Sequence, residues 1–195
     1  MNNIKDYASV TQNAKVYDNA QVSGLSKITN NARVYNDARV FDNAIIDNNA
    51  HVFGKAQVYD FAHISSDAKV YGNAEIYEYA NVSGFAKIFG NAQVYGESHI
   101  YGHANIYGHA QVCDDATVRG SIDVYGNAKI GGIANVYGLN LSIHDNAQVY
   151  AYIYPKIPYI EICGNAIIYH GICLIDKYGT YICGKARLGD KPIKK

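Results

Sequence analysis

The chain lacks an excess of charge of either sign: seventeen basic and seventeen acidic residues cancel in a sequence of 195. A nucleic-acid-binding surface normally carries a basic surplus and a nucleic-acid mimic an acidic one, so composition favours neither. A neutral surface also offers little repulsion against self-association. No run approaches the ~18 apolar residues that a membrane span needs, and no membrane partner is expected. Residues 1–6 hold no apolar stretch of the kind found in a secretory leader, which points to the cytoplasm. Cysteine is scarce, and Cys113, Cys163, Cys173 and Cys183 form neither a C-x-x-C pair nor a zinc-like spacing. Free thiols are the expectation in a reducing compartment. The alternatives are a metal site and, ahead of it, a disulfide between Cys163 and Cys183, which hold equivalent places in Ile162-Cys163-Gly164 and Ile182-Cys183-Gly184.

What the sequence has instead is a period. Every sixth residue from Val10 to Val136 is Val or Ile, at twenty-two positions without exception. Two residues before each stands a small residue, Ala at nineteen of the twenty-two, with Ser26, Ser98 and Ile122 as the departures. So short and strict a repeat marks a solenoid, whose units are stable only when stacked. The Ala and the following Val share parity, so both face one side of a strand, and the residue between them faces the other. That outward place is mostly polar, as at Lys15, Gln21, Lys27, Arg33 and Arg39. Gly, Asn and Asp recur between units and tolerate the positive φ of a sharp corner. Strands this short with a corner every six residues coil, and three units of six would close a triangle.

The aromatic residues test that closure. Thirteen of the twenty-two Val or Ile positions are followed by an aromatic residue. Sorted every eighteenth residue, one column reads Tyr17, Tyr35, Phe53, Tyr71, Phe89, Tyr107, Tyr125, seven of seven, while the other two hold four of seven and two of eight. A three-sided coil follows, with rungs about 4.8 Å apart where like rings stack. One branched and one small side chain per wall fill an interior too narrow for two large ones.

This pattern, a Leu, Ile or Val followed four residues later by Ser, Thr, Ala or Val, resembles the hexapeptide repeat of left-handed parallel β-helices. The unit Asn-Ala-x-Val-Tyr-Gly, as at Asn91-Ala92-Gln93-Val94-Tyr95-Gly96, is similar to tandem-repeat proteins of bacteria and prophages without an assigned activity. The resemblance implies left-handed winding. Parallel crossovers are otherwise right-handed, so handedness comes from the likeness alone. Residues 1–139 are expected to form the regular β-helix and residues 140–195 irregular coils of the same solenoid, acting as a C-terminal cap. The pattern slips by one residue near Gly138-Leu139-Asn140, since Ile143 and Val149 come one place late, and Ala151 to Glu161, with Pro155 and Pro158, interrupts it. At the other end, either residues 1–7 fold over the first coil or another subunit covers it.

Three surfaces invite a function. The aromatic column lies beside outward Lys15, Arg33, His51, Lys69, Lys87, Asn105 and Asp123, making over the first five coils a basic and aromatic strip roughly 20 Å long. The candidate binding face is therefore Lys15, Tyr17, Arg33, Tyr35, Phe53, Lys69, Tyr71, Lys87, Phe89, Tyr107 and Tyr125, suited to a polysaccharide or protein partner, or simply to stiffening the coil. A second face carries Gln57, Gln93 and Gln111, and one corner carries Asn13, Asn31 and Asn49; amide ladders between like rungs account for both. The third outward column, Thr11, Thr29, Asp47, Ser65, Ser83, Tyr101 and Arg119, is too irregular for an ice lattice. His103 and His109 fall on different corners, and His63 and His99 two coils apart, ~9.6 Å, so no metal within one subunit is expected.

By resemblance, many hexapeptide-repeat proteins are trimeric acyltransferases that use acyl-CoA and a His base. This chain departs from them in having no loop inserted between Ala8 and Val136. As an enzyme its base would be His144, with His170 second. The preferred reading is a non-enzymatic scaffold or binding protein without a cofactor. It would be a rigid, self-associating homo-oligomeric rod that presents stacked aromatic faces to its partner.

Overall fold

In the computed structural model, which describes residues 3–11, 13–154, 160–173 and 187–188, the chain is a triangular parallel β-helix of about nine turns. Most strands are two residues long, and each pairs in parallel with the strand eighteen residues away, as Lys69↔Lys87 and Gln93↔Gln111 show. A backbone N–H at an outward residue donates to the carbonyl of the next coil, Lys69 N to Ala86 O at 2.9 Å being typical. Three walls result. The first carries Lys15–Val16, Arg33–Val34 and their successors, the second begins with Gln21–Val22, and the third with Ser9–Val10. Corners use a residue at positive φ, either glycine or a short polar residue such as Asp18 (56°) or Asn36 (57°). Among the described residues there is no helix, and hence none long and apolar enough to cross a membrane.

The interior is the repeat made solid. From Ala20 to Val118 every Val or Ile of the period is fully buried, beside a buried Ala or Ser. Ser26 turns its hydroxyl onto the Ser23 carbonyl at 2.7 Å, whereas the Ser98 hydroxyl is buried without a partner.

The departures are local. At Gly120 and again at Gly138 the corner flattens, so that Thr117–Val124 and Asn135–Ile143 are continuous strands spanning two walls. Over the same rungs the small interior place on the first wall passes from Ala104 to Ile122, Leu141 and Ile160, all buried. The flattened corner opens room that larger side chains fill. The register slip expected near Gly138 sits at Asn140, since Ser121 pairs with Leu139 but Ile122 with Leu141. The interruption expected across Ala151 to Glu161 is narrower than the sequence suggests. Ile153 still pairs with Val136, and Ile160 with Leu141. Of the expected C-terminal cap, residues 155–159, 174–186 and 189–195 lie outside the described residues, and the described ones carry strands that continue the coil, as Gln148–Ile153 and Ile160–Ile162 do.

At the N-terminal end, Ile4 bridges Val22 in parallel and Tyr7 N donates to Gly24 O. Residues 3–7 thus extend the second wall rather than fold over the first coil. Ala8, Val10, Ala14 and Val16 remain only partly buried.

Candidate interaction face

All eleven residues of the candidate face lie on the first wall. Register brings them there, because Lys15 is opposite Arg33, Arg33 opposite His51, His51 opposite Lys69, and Lys69 opposite Lys87. The aromatic residue two places on from each follows in the same order. Their rings lie nearly parallel in a continuous stack: Tyr17–Tyr35 at 5.1 Å, Tyr35–Phe53 at 4.9 Å, and so on to Tyr107–Tyr125 at 5.0 Å, with interplanar angles of 1–8°. This geometry changes what the column can do. Each ring uses its faces on its neighbours above and below, so the wall presents ring edges and hydroxyls. Sugar rings bind aromatic residues by lying against an open π-face, and within this column the faces are covered.

The cations beside the rings stand in line with no acid between them. Lys15, Arg33, Lys69 and Lys87 are exposed, and among the described residues the ion pairs all involve His63 or His144. Like charges on neighbouring rungs repel by up to about 1 kcal/mol. His51 sits among them. Burial first, then Arg33 and Lys69, hold its ring below the usual imidazole pKa, and the Tyr35 hydroxyl lies 3.4 Å from its Nδ1. Further along the same wall the sign reverses: Asn105 donates to Asp123 at 2.8 Å, and two rungs later comes Glu161.

His144 belongs to this wall too, and the fixed eighteen-residue count missed it. The extra residue at Asn140 delays the column by one, so the imidazole stacks on Tyr125 at 4.7 Å as the next ring of the series. Its Nε2 lies 2.6 Å from Glu161 and its Nδ1 3.2 Å from Asp145. Burial opposes charge on this ring, but the bonds to Glu161 and Asp145 outweigh it and raise the pKa. Asp145 is held below the usual carboxylate value by the Gly164 backbone N–H, at 2.9 Å, and then by His144. Carboxylate oxygens lie against both ring nitrogens, so neither is open to take a proton from a substrate as a base. The side chain of His170 lies outside the described set.

His144, Glu161 and Cys163 place their potential ligand atoms within 4.8 Å of one another, a proximity that the expectation of no metal site did not foresee. Cys163 is disulfide-bonded, so the trio offers a cation no thiolate. The expectation of free thiols is thus corrected at Cys163 and holds at Cys113, which is free and buried. Cys183 lies outside the described residues.

The other surfaces follow the ladder reading. Gln111 donates to Gln93 at 3.2 Å and Gln93 to Glu75 at 3.1 Å, while Asn13, Asn31 and Asn49 hand amide bonds down one corner to Asp67. The second wall has its own ring stack from Phe41 to Tyr95, in which burial, followed by the charge of Glu75, pushes Tyr59 up to about 12. No protein-family model matches the chain, and a search of curated proteins finds none that matches it.

Proposed function

We propose that the chain is a non-enzymatic scaffold of the hexapeptide-repeat kind, a rigid rod that works by docking its first wall against a partner surface. The carrying observation is the wall's composition. A dense column of ring edges lies beside four exposed cations that have no acid of their own among the described residues. Such a surface is stiff before it meets its partner, so docking orders few side chains and keeps the entropy cost low. The closed ring faces favour a protein surface over a polysaccharide as that partner.

The acyltransferase alternative rested on His144 as base, and carboxylates against both of its nitrogens weigh against that role. Thermal-shift scans with acetyl-CoA and CoA separate the two readings. The scaffold reading expects no change in Tm with either compound. A saturable rise with CoA, abolished by His144→Ala, would establish an enzyme instead.

A further inference from the structure

The outward column of the first wall runs Lys15, Arg33, His51, Lys69, Lys87, Asn105, Asp123, Ser142, Glu161, one residue per rung. Cations fill one half and carboxylates mark the other. Two copies laid wall to wall can be related by a two-fold axis along the rod or across it. An axis along the rod keeps the rods parallel and sets each copy's basic half against the partner's basic half. An axis across the rod reverses one copy, so the column meets itself backwards, as a self-complementary two-fold interface requires.

We propose that the occupant of this wall is the same wall of a second copy, antiparallel, with the two-fold axis between the rungs of Lys87 and Asn105. Resting on the reading of the first wall as a docking face, this register leaves no like-charged pair from Arg33 to Glu161, the place opposite Lys15 lying outside the described residues. Arg33 meets Glu161, His51 meets Ser142, Lys69 meets Asp123 and Lys87 meets Asn105. The ring column also meets itself, Tyr71 opposite Tyr125 and Phe89 opposite Tyr107, edge against edge. Beyond the rings, Lys55 at the corner comes opposite Asn146 and beside Asp145. Asp123 accepts Asn105 through Oδ1, leaving its second oxygen for the partner's Lys69. A wall about 16 Å wide, from ~3.3 Å per residue, and ~34 Å long over eight rungs gives close to ~1,100 Å² for the pair, about what a specific interface needs.

Sedimentation velocity on Lys69→Glu and Asp123→Lys, alone and mixed, tests it, with circular dichroism melts confirming that each variant folds. Each single variant sets like charges against each other at both symmetric contacts, so its self-association weakens at least tenfold. An equimolar mixture restores a dimer. The carboxylate introduced at position 69 of one chain then meets the ammonium introduced at position 123 of the other, and the native pair forms at the second contact. Lys27→Glu, an exposed position on the third wall, leaves the dimer within about twofold of wild type. Should Asp123→Lys fold poorly, Lys69→Glu and Lys27→Glu still carry the contrast. Undiminished dimerisation of Lys69→Glu, or a mixture that stays monomeric, overturns the proposal. A wild-type monomer that binds dextran sulfate, equally weakened by Lys69→Glu and Lys87→Glu, overturns the pairing and keeps the docking face. A monomer that binds neither overturns both.

Discussion

Ile76 and Ala74 point into the same triangular interior, fully buried one turn of pleat apart, and neither can change size freely. Ile76→Ala removes three methyl-sized groups from a wall that has no side chain with which to refill the space, and about 2–5 kcal/mol of stability should go with them. Ala68→Leu errs the other way. Its added carbons enter a lumen where Ala50 and Ala86 hold the same place on the neighbouring rungs and Val70 is fully buried on its own, and about 1–3 kcal/mol is lost to overpacking. Urea titration of both variants measures these costs, and a neutral Ala68→Leu would mean that the lumen is wider than described. His144 sets a pH signature. Its folded pKa is raised, so its contribution is complete below the ordinary imidazole value of 6.5 and fades as pH rises through the folded value. Asp145 is depressed, so its share is present above its ordinary 3.8 and goes as pH falls through the folded value. The Tm gap between wild type and His144→Gln should therefore be widest near pH 5–6 and narrow towards pH 9. A gap independent of pH would mean that folding leaves the His144 pKa unshifted, and a gap that widens with pH would mean that His144 is held neutral in the fold.

The corner is the element that makes the coil close, and its chemistry was readable in the repeated Gly, Asn and Asp. Gly72, at φ +71°, would place an added Cβ 2.9 Å from the Gly90 backbone nitrogen of the next coil. Gly72→Ala should cost about 1–2 kcal/mol. Gly72→Asn should cost less, because Asn36 already adopts this conformation in the same column. Equal losses in thermal melts would show that crowding by the next coil, not backbone conformation, selects glycine here. Strand register was legible because the aromatic residues fell into one column of three. The continuous strand across Gly120 was not, since Gly120-Ser121 looks like any other corner dipeptide; only the large Ile122 in a small residue's place marked the change. The slip at Asn140 was visible in the late Ile143 and Val149, and following it one step further would have put His144 in the ring column.

At the scale of the molecule, the period fixed the rod and its three walls, while the use of the wall depended on orientations that no spacing encodes. Whether a ring column offers faces or edges is decided by the side-chain torsions, and Tyr17 and Tyr35 lie parallel to within 1°. That stack makes the candidate face, expected to suit a polysaccharide or a protein partner or simply to stiffen the coil, a ridge of ring edges. Asp123 falls in the outward column by the eighteen-residue count alone, but the reversal of charge along the wall became clear only with Glu161 carried into register past the slip. Every one of these arguments depends on coils of eighteen residues, and proximity measures that directly. Cysteines introduced in pairs, with a thiol cross-linker spanning ~5 Å, the rung spacing, read it out by mass spectrometry. Asn81→Cys with His99→Cys, partners across one rung, should cross-link within a single chain, whereas Asn81→Cys with Gln93→Cys, on different walls, should not. Efficient linkage of the second pair and none of the first would contradict the three-sided coil and everything built on it.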